Sequence, residues 1–459
     1  MTAATAATRS AIFADRPVLA SPPTAFEQTF FVFMMVIYLA YPFLIGDQRN
    51  GGESLNPVKA LKEMTTGGDA TKQVLMVALY LGFTAALLRY TRLKMSLFLG
   101  MPLFLLSIWC LLSAMWSIDP GVTIRRTMAI WGVVILGTYM GLRFDLRTML
   151  RLMFWVTAIV LIGSIVIAVV LPAAGLDLEG RLRGVFPHKN AISGYASIAF
   201  LMIAAQLVAM GYRHWLATLA DGLLACLCIV SMMWSESASA IPVLLFAVPL
   251  LLAPRVLRTA DRSVIAVIPV LLGVAVAGAA LAVYNHDAIT EMLGKDPDMS
   301  GRTRVWMYSL KMFLERPGLG YGYSTFWEGF NSPGGVFWSV SNLGVPHSHN
   351  GYIQLALDTG VVGLVLFMAA LGSLIFRLAW LIRHGNDPLI NWAVAFLGLF
   401  LVSNLSESRL WIANEPFTVL FVYVVVYTNY SVWKTLYISN RRQPLKNSAP
   451  YAAVSSPLQ

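Results

Sequence analysis

Twelve blocks of mostly apolar residues recur along this chain, each about twenty residues long. They lie at 28–46, 73–90, 97–115, 126–142, 150–171, 191–210, 215–234, 239–253, 264–284, 355–381, 388–405 and 413–432. A helix rises about 1.5 Å per residue, so a block of this length crosses the ~30 Å hydrocarbon core of a bilayer. Lipid offers no partner to backbone N–H and C=O groups, so only helices or closed barrels span it. The blocks show no alternation with a period of two, and helices are expected. The eighth block is short and contains Pro242, and the fourth is the least sharply bounded.

A length of 459 residues would otherwise suit two or three soluble domains. However, charged residues make up only 12% and hydrophobic residues 58%, against roughly 25% charged in an ordinary globular protein. So few charges cannot cover a water-facing surface. The net charge of +10 does not point to nucleic acid either, because the basic residues fall in short clusters between apolar blocks. Cys110, Cys226 and Cys228 lie inside apolar blocks without a metal-ligand spacing, as packing residues do. The N-terminal stretch has no positive patch leading directly into a short apolar core, and it reads as a cytoplasmic tail rather than a signal peptide.

The positive-inside rule orients the bundle. With the N-terminus in the cytoplasm, the clusters Arg89/Arg92/Lys94, Arg143/Arg147/Arg151, Arg213/His214, Arg255/Arg258/Arg262 and Arg383/His384 all fall inside. So does the tail with Lys434, Arg441, Arg442 and Lys446. The expected organisation is a cytoplasmic tail (1–27), nine spans (28–284), a large outer loop (285–354), three more spans (355–434) and a second cytoplasmic tail (435–459). The loop, about seventy residues rich in Gly, Pro, Trp and Tyr, is long enough to suggest function.

Three clusters fall on the outer side. Arg181-Leu-Arg183-Gly-Val-Phe-Pro-His188-Lys189-Asn190 precedes the sixth span. Guanidinium groups beside a helix N-terminus suit a diphosphate, although a basic cluster can also anchor lipid headgroups. Ser300-Gly301-Arg302-Thr303-Arg304-Val-Trp306 again sets cations at a helix start. It is followed by the glycine-rich run Pro317–Tyr323, in which close backbone approach to a ligand and plain loop packing are equally open readings. Pro346-His347-Ser348-His349-Asn350-Gly351 leads into an apolar stretch with Asp358, Gly360 and Gly363. Histidines two apart can ligate a metal, but no partnering carboxylate motif accompanies them. An imidazole, with an ordinary pKa of about 6.5, can instead take a proton from an attacking hydroxyl.

These clusters resemble the bacterial O-antigen ligase and polymerase superfamily, with its Wzy-type polymerases and WaaL-type ligases. Its hallmark is a His followed by Asn, Ser or Gln, nine residues, then Gly-x-x-Gly, after a long periplasmic loop. Here His349-Asn350 is followed by nine residues to Gly360 and then Gly363, which selects His349 over His347. Arg302 resembles the family's loop arginine. Arg183, with Arg181 as the alternative, resembles its earlier periplasmic arginine and stands in an Arg-x₁₀-Gly spacing ending at Gly194. The resemblance runs from about Arg181 through the twelfth span, while the first four spans match only in hydropathy. Where many members carry a Ser-Arg pair at the outer end of a middle helix, the chain has Ser235-Glu-Ser-Ala-Ser239, without the arginine.

The run Arg183–Asn190 is most similar to exopolysaccharide polymerases of the succinoglycan type. The resemblance implies an all-α, glycosyltransferase-C-like membrane fold and a glycosyltransferase that needs neither metal nor cofactor. It implies a multi-pass protein of the bacterial inner membrane that joins undecaprenyl-diphosphate-linked oligosaccharide units. His349 would be the base. Arg183 and Arg302, helped by Arg181 or Lys189, would stabilise the leaving diphosphate, with Asn350, His347 and Arg304 in support. Membrane lipids, a chain-length regulator and export proteins are the implied partners. The alternatives are a ligase acting on a lipid A core or another acceptor, and a transporter of lipid-linked oligosaccharide. A transporter should carry charges along mid-helix positions, where Asp221 is the clearest example here.

Overall fold

The structure is a computed structural model that describes residues 23–44, 70–90, 93–210, 214–237, 239–254, 302–329, 331–337, 347–385 and 387–442. The expected ninth span (264–284), Arg213, Arg255, Arg258 and Arg262, Ser300 and Gly301, and most of both tails lie outside these residues. The described residues are almost entirely helical, and the chain is an all-α polytopic membrane protein.

In chain order the helices are α1 (Ala25–Leu44), α2 (Ala70–Tyr90), α3 (Leu93–Leu112), α4 (Pro120–Arg143), α5 (Leu146–Val170), α6 (Lys189–Met210) and α7 (Trp215–Trp234). They continue with α8 (Ala240–Ala247), α9 (Arg302–Glu315), α10 (Gly351–His384), α11 (Ile390–Ser403) and α12 (Pro416–Arg442). All of these but α9 follow an expected apolar block, whereas α9 lies within the outer loop. Among the described residues, five helices (α5, α6, α7, α10 and α12) are long and apolar enough to cross a membrane alone. The eighth block is split: Pro249 has no N–H to give, and α8 passes into a 3₁₀ turn at Val248–Leu251.

Lipid-facing and protein-buried helices separate clearly. Helix α5 turns Ile159, Ile162 and Val166 outward, and α7 turns Leu219 and Leu223 outward. Such apolar surface is stable only against hydrocarbon. Helix α4 is the opposite case, wrapped by α2, α3 and α12. Its Gly137 and Gly141 lie against Val422 and Val426 of α12, so closely that a Cβ at either would fall within 3.0 Å of a valine side chain. Small residues four apart let two helices approach. A helix enclosed by protein needs no apolar outer face, which explains why its block was poorly bounded in the sequence.

The two ends of the bundle differ in chemistry. At one end Arg143 is fully buried, and its Nε and one Nη meet the two Glu27 oxygens at 2.5 and 2.6 Å. This arginine, one of the cluster expected on the cytoplasmic side, ties α4 to α1. At the same end Arg151 donates to Gln28, and the Tyr427 hydroxyl donates to Asp387. The other end gathers the segments expected outside. Trp116 Nε1 donates to Leu319 O, Arg126 pairs with Glu328, and Leu182 N–H donates to Trp234 O.

Helix α10 is broken near that second end. Gly360 has φ +66°, and a Cβ there would sit 2.2 Å from Gly318 O. The break frees carbonyls, and the glycine-rich run takes them: Tyr321 N–H donates to Leu357 O (2.8 Å) and Gly322 N–H to Asp358 O (3.1 Å). Val361 N–H in turn donates to Pro317 O (2.8 Å), and Trp109 Nε1 to Thr359 O (3.0 Å). Of the two readings open for this run, the contacts to α10 are those of loop packing. A small aromatic core of Tyr321, Phe326 and Trp327, with Val305 of α9 and Leu357 of α10, seats the loop on the bundle.

Candidate active site

His349 stands just before α10 with φ +51°, in the left-handed region that few non-glycine residues adopt. Its neighbours hold it there. Asn350 caps α10, its Oδ1 accepting from Tyr352 N–H (3.0 Å) and Ile353 N–H (3.1 Å). The Ser348 hydroxyl donates to Asn350 O (2.7 Å), and Asn350 N–H donates to Ser408 Oγ (3.2 Å). Trp306 of α9 donates to Ser348 O (2.8 Å). His349 N–H itself donates to His347 Nδ1 (3.2 Å). Burial, reinforced by the adjacent His349 ring, pushes the half-buried His347 imidazole down to about 3. His347 is thus neutral and able to accept.

The group that organises the site is Glu407, in the loop between α11 and α12. It is buried, and three elements bring polar side chains to it. Asn190 of α6 donates to its Oε1 (2.9 Å), Arg302 at the start of α9 reaches the same oxygen (3.4 Å), and His349 Nδ1 faces its Oε2 at 3.9 Å. Burial alone would raise the Glu407 carboxyl. The facing His349 and the nearby Arg409 outweigh it and hold the group well below the usual carboxylate range, so it is an anion. His349 Nδ1 is buried without a hydrogen-bond partner, while the side chain as a whole remains 26% exposed. One ring nitrogen therefore turns to the carboxylate and the ring stays reachable.

Arg409 locks the loop. Its guanidinium donates to Glu415 (3.0 Å) and to Asn190 O (2.7 Å), lies over the Phe417 ring, and fills the space left by Gly194. The Arg-x₁₀-Gly spacing thus ends at a glycine that makes room for a different arginine. The starts of α6, α9 and α10 all carry a residue into this cluster, which directs the positive ends of three helix dipoles at one place.

The expected site residues divide. Arg302, His347, His349 and Asn350 come together, and Lys189 begins the helix that supplies Asn190. Arg181 is engaged by Asp177 (2.7 Å) and Glu179, a local ion-pair set. Arg183 is buried and donates to Ala173 O (3.2 Å), beneath the segment leading to α6. Arg304 lies within the first turn of α9, exposed. Glu407 and Arg409 were not foreseen. Their signal was the polar run Ser406-Glu-Ser-Arg409 between two apolar blocks. His347, His349 and Glu407 bring ligand atoms within 4.8 Å of one another and could hold a cation. Arg302 and Arg409 already place positive charge beside that carboxylate, which disfavours a dication there.

The described residues are those of a polytopic helical membrane protein, and residues 223–368 are similar to the sequence model described as O-antigen ligase. The chain is 27% identical over 296 residues to the exopolysaccharide production protein ExoQ of Rhizobium meliloti (strain 1021), covering 62% of this chain and 67% of that protein. It is also 24% identical over 143 residues to a protein of Rickettsia conorii named as a polysaccharide ligase, covering 29% of this chain and 34% of the relative.

Proposed function

We propose that the chain is a glycosyltransferase of the bacterial inner membrane that polymerises undecaprenyl-diphosphate-linked oligosaccharide units into exopolysaccharide. Both termini are cytoplasmic in this reading, and the His349 end faces the periplasm. The observation that carries it is His349 itself: a reachable imidazole with one ring nitrogen turned to a buried carboxylate, beside Arg302 and three helix N-termini. A base oriented by an anion next to a cationic pocket is what direct displacement at an anomeric carbon from a diphosphate requires.

His349 takes the proton of the acceptor hydroxyl as its oxygen attacks the anomeric carbon. The bond from that carbon to the diphosphate oxygen breaks, and undecaprenyl diphosphate leaves with the electron pair. Glu407 stabilises the imidazolium as it forms. Arg302 and Lys189 take up the charge developing on the diphosphate, while Arg183 and Arg181 hold the segment that presents Lys189. The activated lipid supplies the driving force, so the reaction runs where ATP is absent.

The family description and the Rickettsia relative favour a second reading, transfer of the glycan to a different acceptor; the donor site and base would be the same. His349→Ala tests the shared part: cells carrying it should make no polymer while the protein remains in the membrane at its normal level. Normal polymer from that variant would remove His349 from the reaction.

A further inference from the structure

We propose that the cleft between α1, the start of α6 and the start of α12 is the subsite for the acceptor saccharide; this rests on the glycosyltransferase reading above. The cleft is small, with an accessible volume of about 80 Å³ that opens at its mouth to the surface. Its walls include Tyr38 and Tyr41 of α1, Phe186 and Tyr195, and Asn414 and Glu415. Aromatic rings present flat apolar faces to the C–H side of a pyranose, and the amide and carboxylate take its hydroxyl groups. Glu415, already paired with Arg409, offers its remaining lone pairs to hydroxyl donors.

Tyr38 supplies an independent observation. Its side chain is 1% exposed, it lines the cleft, and its hydroxyl has no hydrogen-bond partner. Buried hydroxyls are nearly always paired, and a ligand hydroxyl would satisfy this one. The cleft is also joined to the base. Glu415 accepts from Arg409, Arg409 donates to Asn190 O, and Asn190 donates to Glu407, which faces His349. His188 lines the cleft within electrostatic reach of Glu407, Arg409 and His349. A sugar seated here is thus coupled to the imidazole through this relay of side chains. Every wall residue lies outside residues 223–368, the part that matches the family and carries Arg302 and His349. The choice of acceptor would thus be made by walls separate from that shared part.

The test uses the full-length protein in nanodiscs. The probe is the free oligosaccharide released by mild acid from lipid-linked repeat units of producing cells; without its diphosphate it can act only as an acceptor. Equilibrium dialysis should show binding to the wild type and to His349→Ala alike. Binding should be at least tenfold weaker in Tyr41→Ala and about three- to tenfold weaker in Tyr38→Phe, which removes one hydroxyl and disturbs no existing hydrogen bond. Equal binding by wild type and both tyrosine variants, or no binding by the wild type, overturns the subsite. Polymerisation of the intact lipid-linked unit is measured beside it: binding without any polymer upholds the subsite and sinks the polymerase reading, whereas polymer with unaltered binding in the variants does the reverse.

Discussion

Glu407→Gln isolates the charge that the site is built around, because the amide keeps the shape of the side chain and an oxygen for Asn190. In the resting protein Glu407 Oε2 lies 3.9 Å from His349 Nδ1. At an effective dielectric of about 20, unit charges at that separation attract by about 4 kcal/mol. The attraction reaches full strength only when the imidazole becomes cationic, so it acts on the transition state more than on the bound substrate. Arg302 and Arg409 draw on the same carboxylate, and we take about half of this as the net contribution, ~2–3 kcal/mol, or roughly 30- to 150-fold in rate. The variant should therefore lose about two orders of magnitude in kcat with KM changed less than threefold. The pH profile adds a second readout. Because the folded Glu407 carboxyl is depressed, it stays ionised throughout pH 5–8, and its stabilising contribution is lost only as pH falls below the ordinary carboxylate range. Activity should therefore show no titration of this carboxylate between pH 5 and 8. Polymerisation within threefold of wild type would refute the reasoning.

Three further outcomes are expected. Arg302→Lys keeps the charge but loses the planar fork, so it should cut the rate at least tenfold, against little change for the exposed Arg304→Lys, both read in the same polymerisation assay. Gly360→Ala places a Cβ 2.2 Å from Gly318 O at φ +66°, and it should destabilise the protein by about 2–4 kcal/mol, seen as a lowered unfolding temperature in detergent. Chelation of divalent cations should leave the purified protein active, whereas full and reversible loss would favour His347, His349 and Glu407 as ligands.

What the sequence disclosed, and what it hid, follows from how far each feature depends on tertiary contacts. Helices α5 and α7 were legible because lipid contact demands apolar side chains all along their outer faces. Helix α4 was blurred because its environment is protein: Gly137 and Gly141 meet α12, and Arg143 meets Glu27, so its pattern encodes partners rather than a membrane. His349 and Arg302 stood out through their spacing and setting. Glu407 did not, because it acts through residues 58 positions before it in His349 and 217 before it in Asn190, a separation no local pattern records. The glycines of Pro317–Tyr323 kept two readings open until α10 was seen to break at Gly360 and leave carbonyls for Tyr321 and Gly322. Arg181 carries charge in the sequence, but Asp177 and Glu179 had to be placed beside it before its pairing was visible.

The central claim is that His349 serves as the base of a saccharide-joining reaction driven by a lipid diphosphate. Reconstituting the purified wild type and His349→Ala with undecaprenyl-diphosphate-linked repeat units as sole substrate measures this directly. A ladder of lipid-linked oligomers from the wild type, absent from the variant, is the predicted result. A ladder from both, or from neither when both are folded, would contradict it.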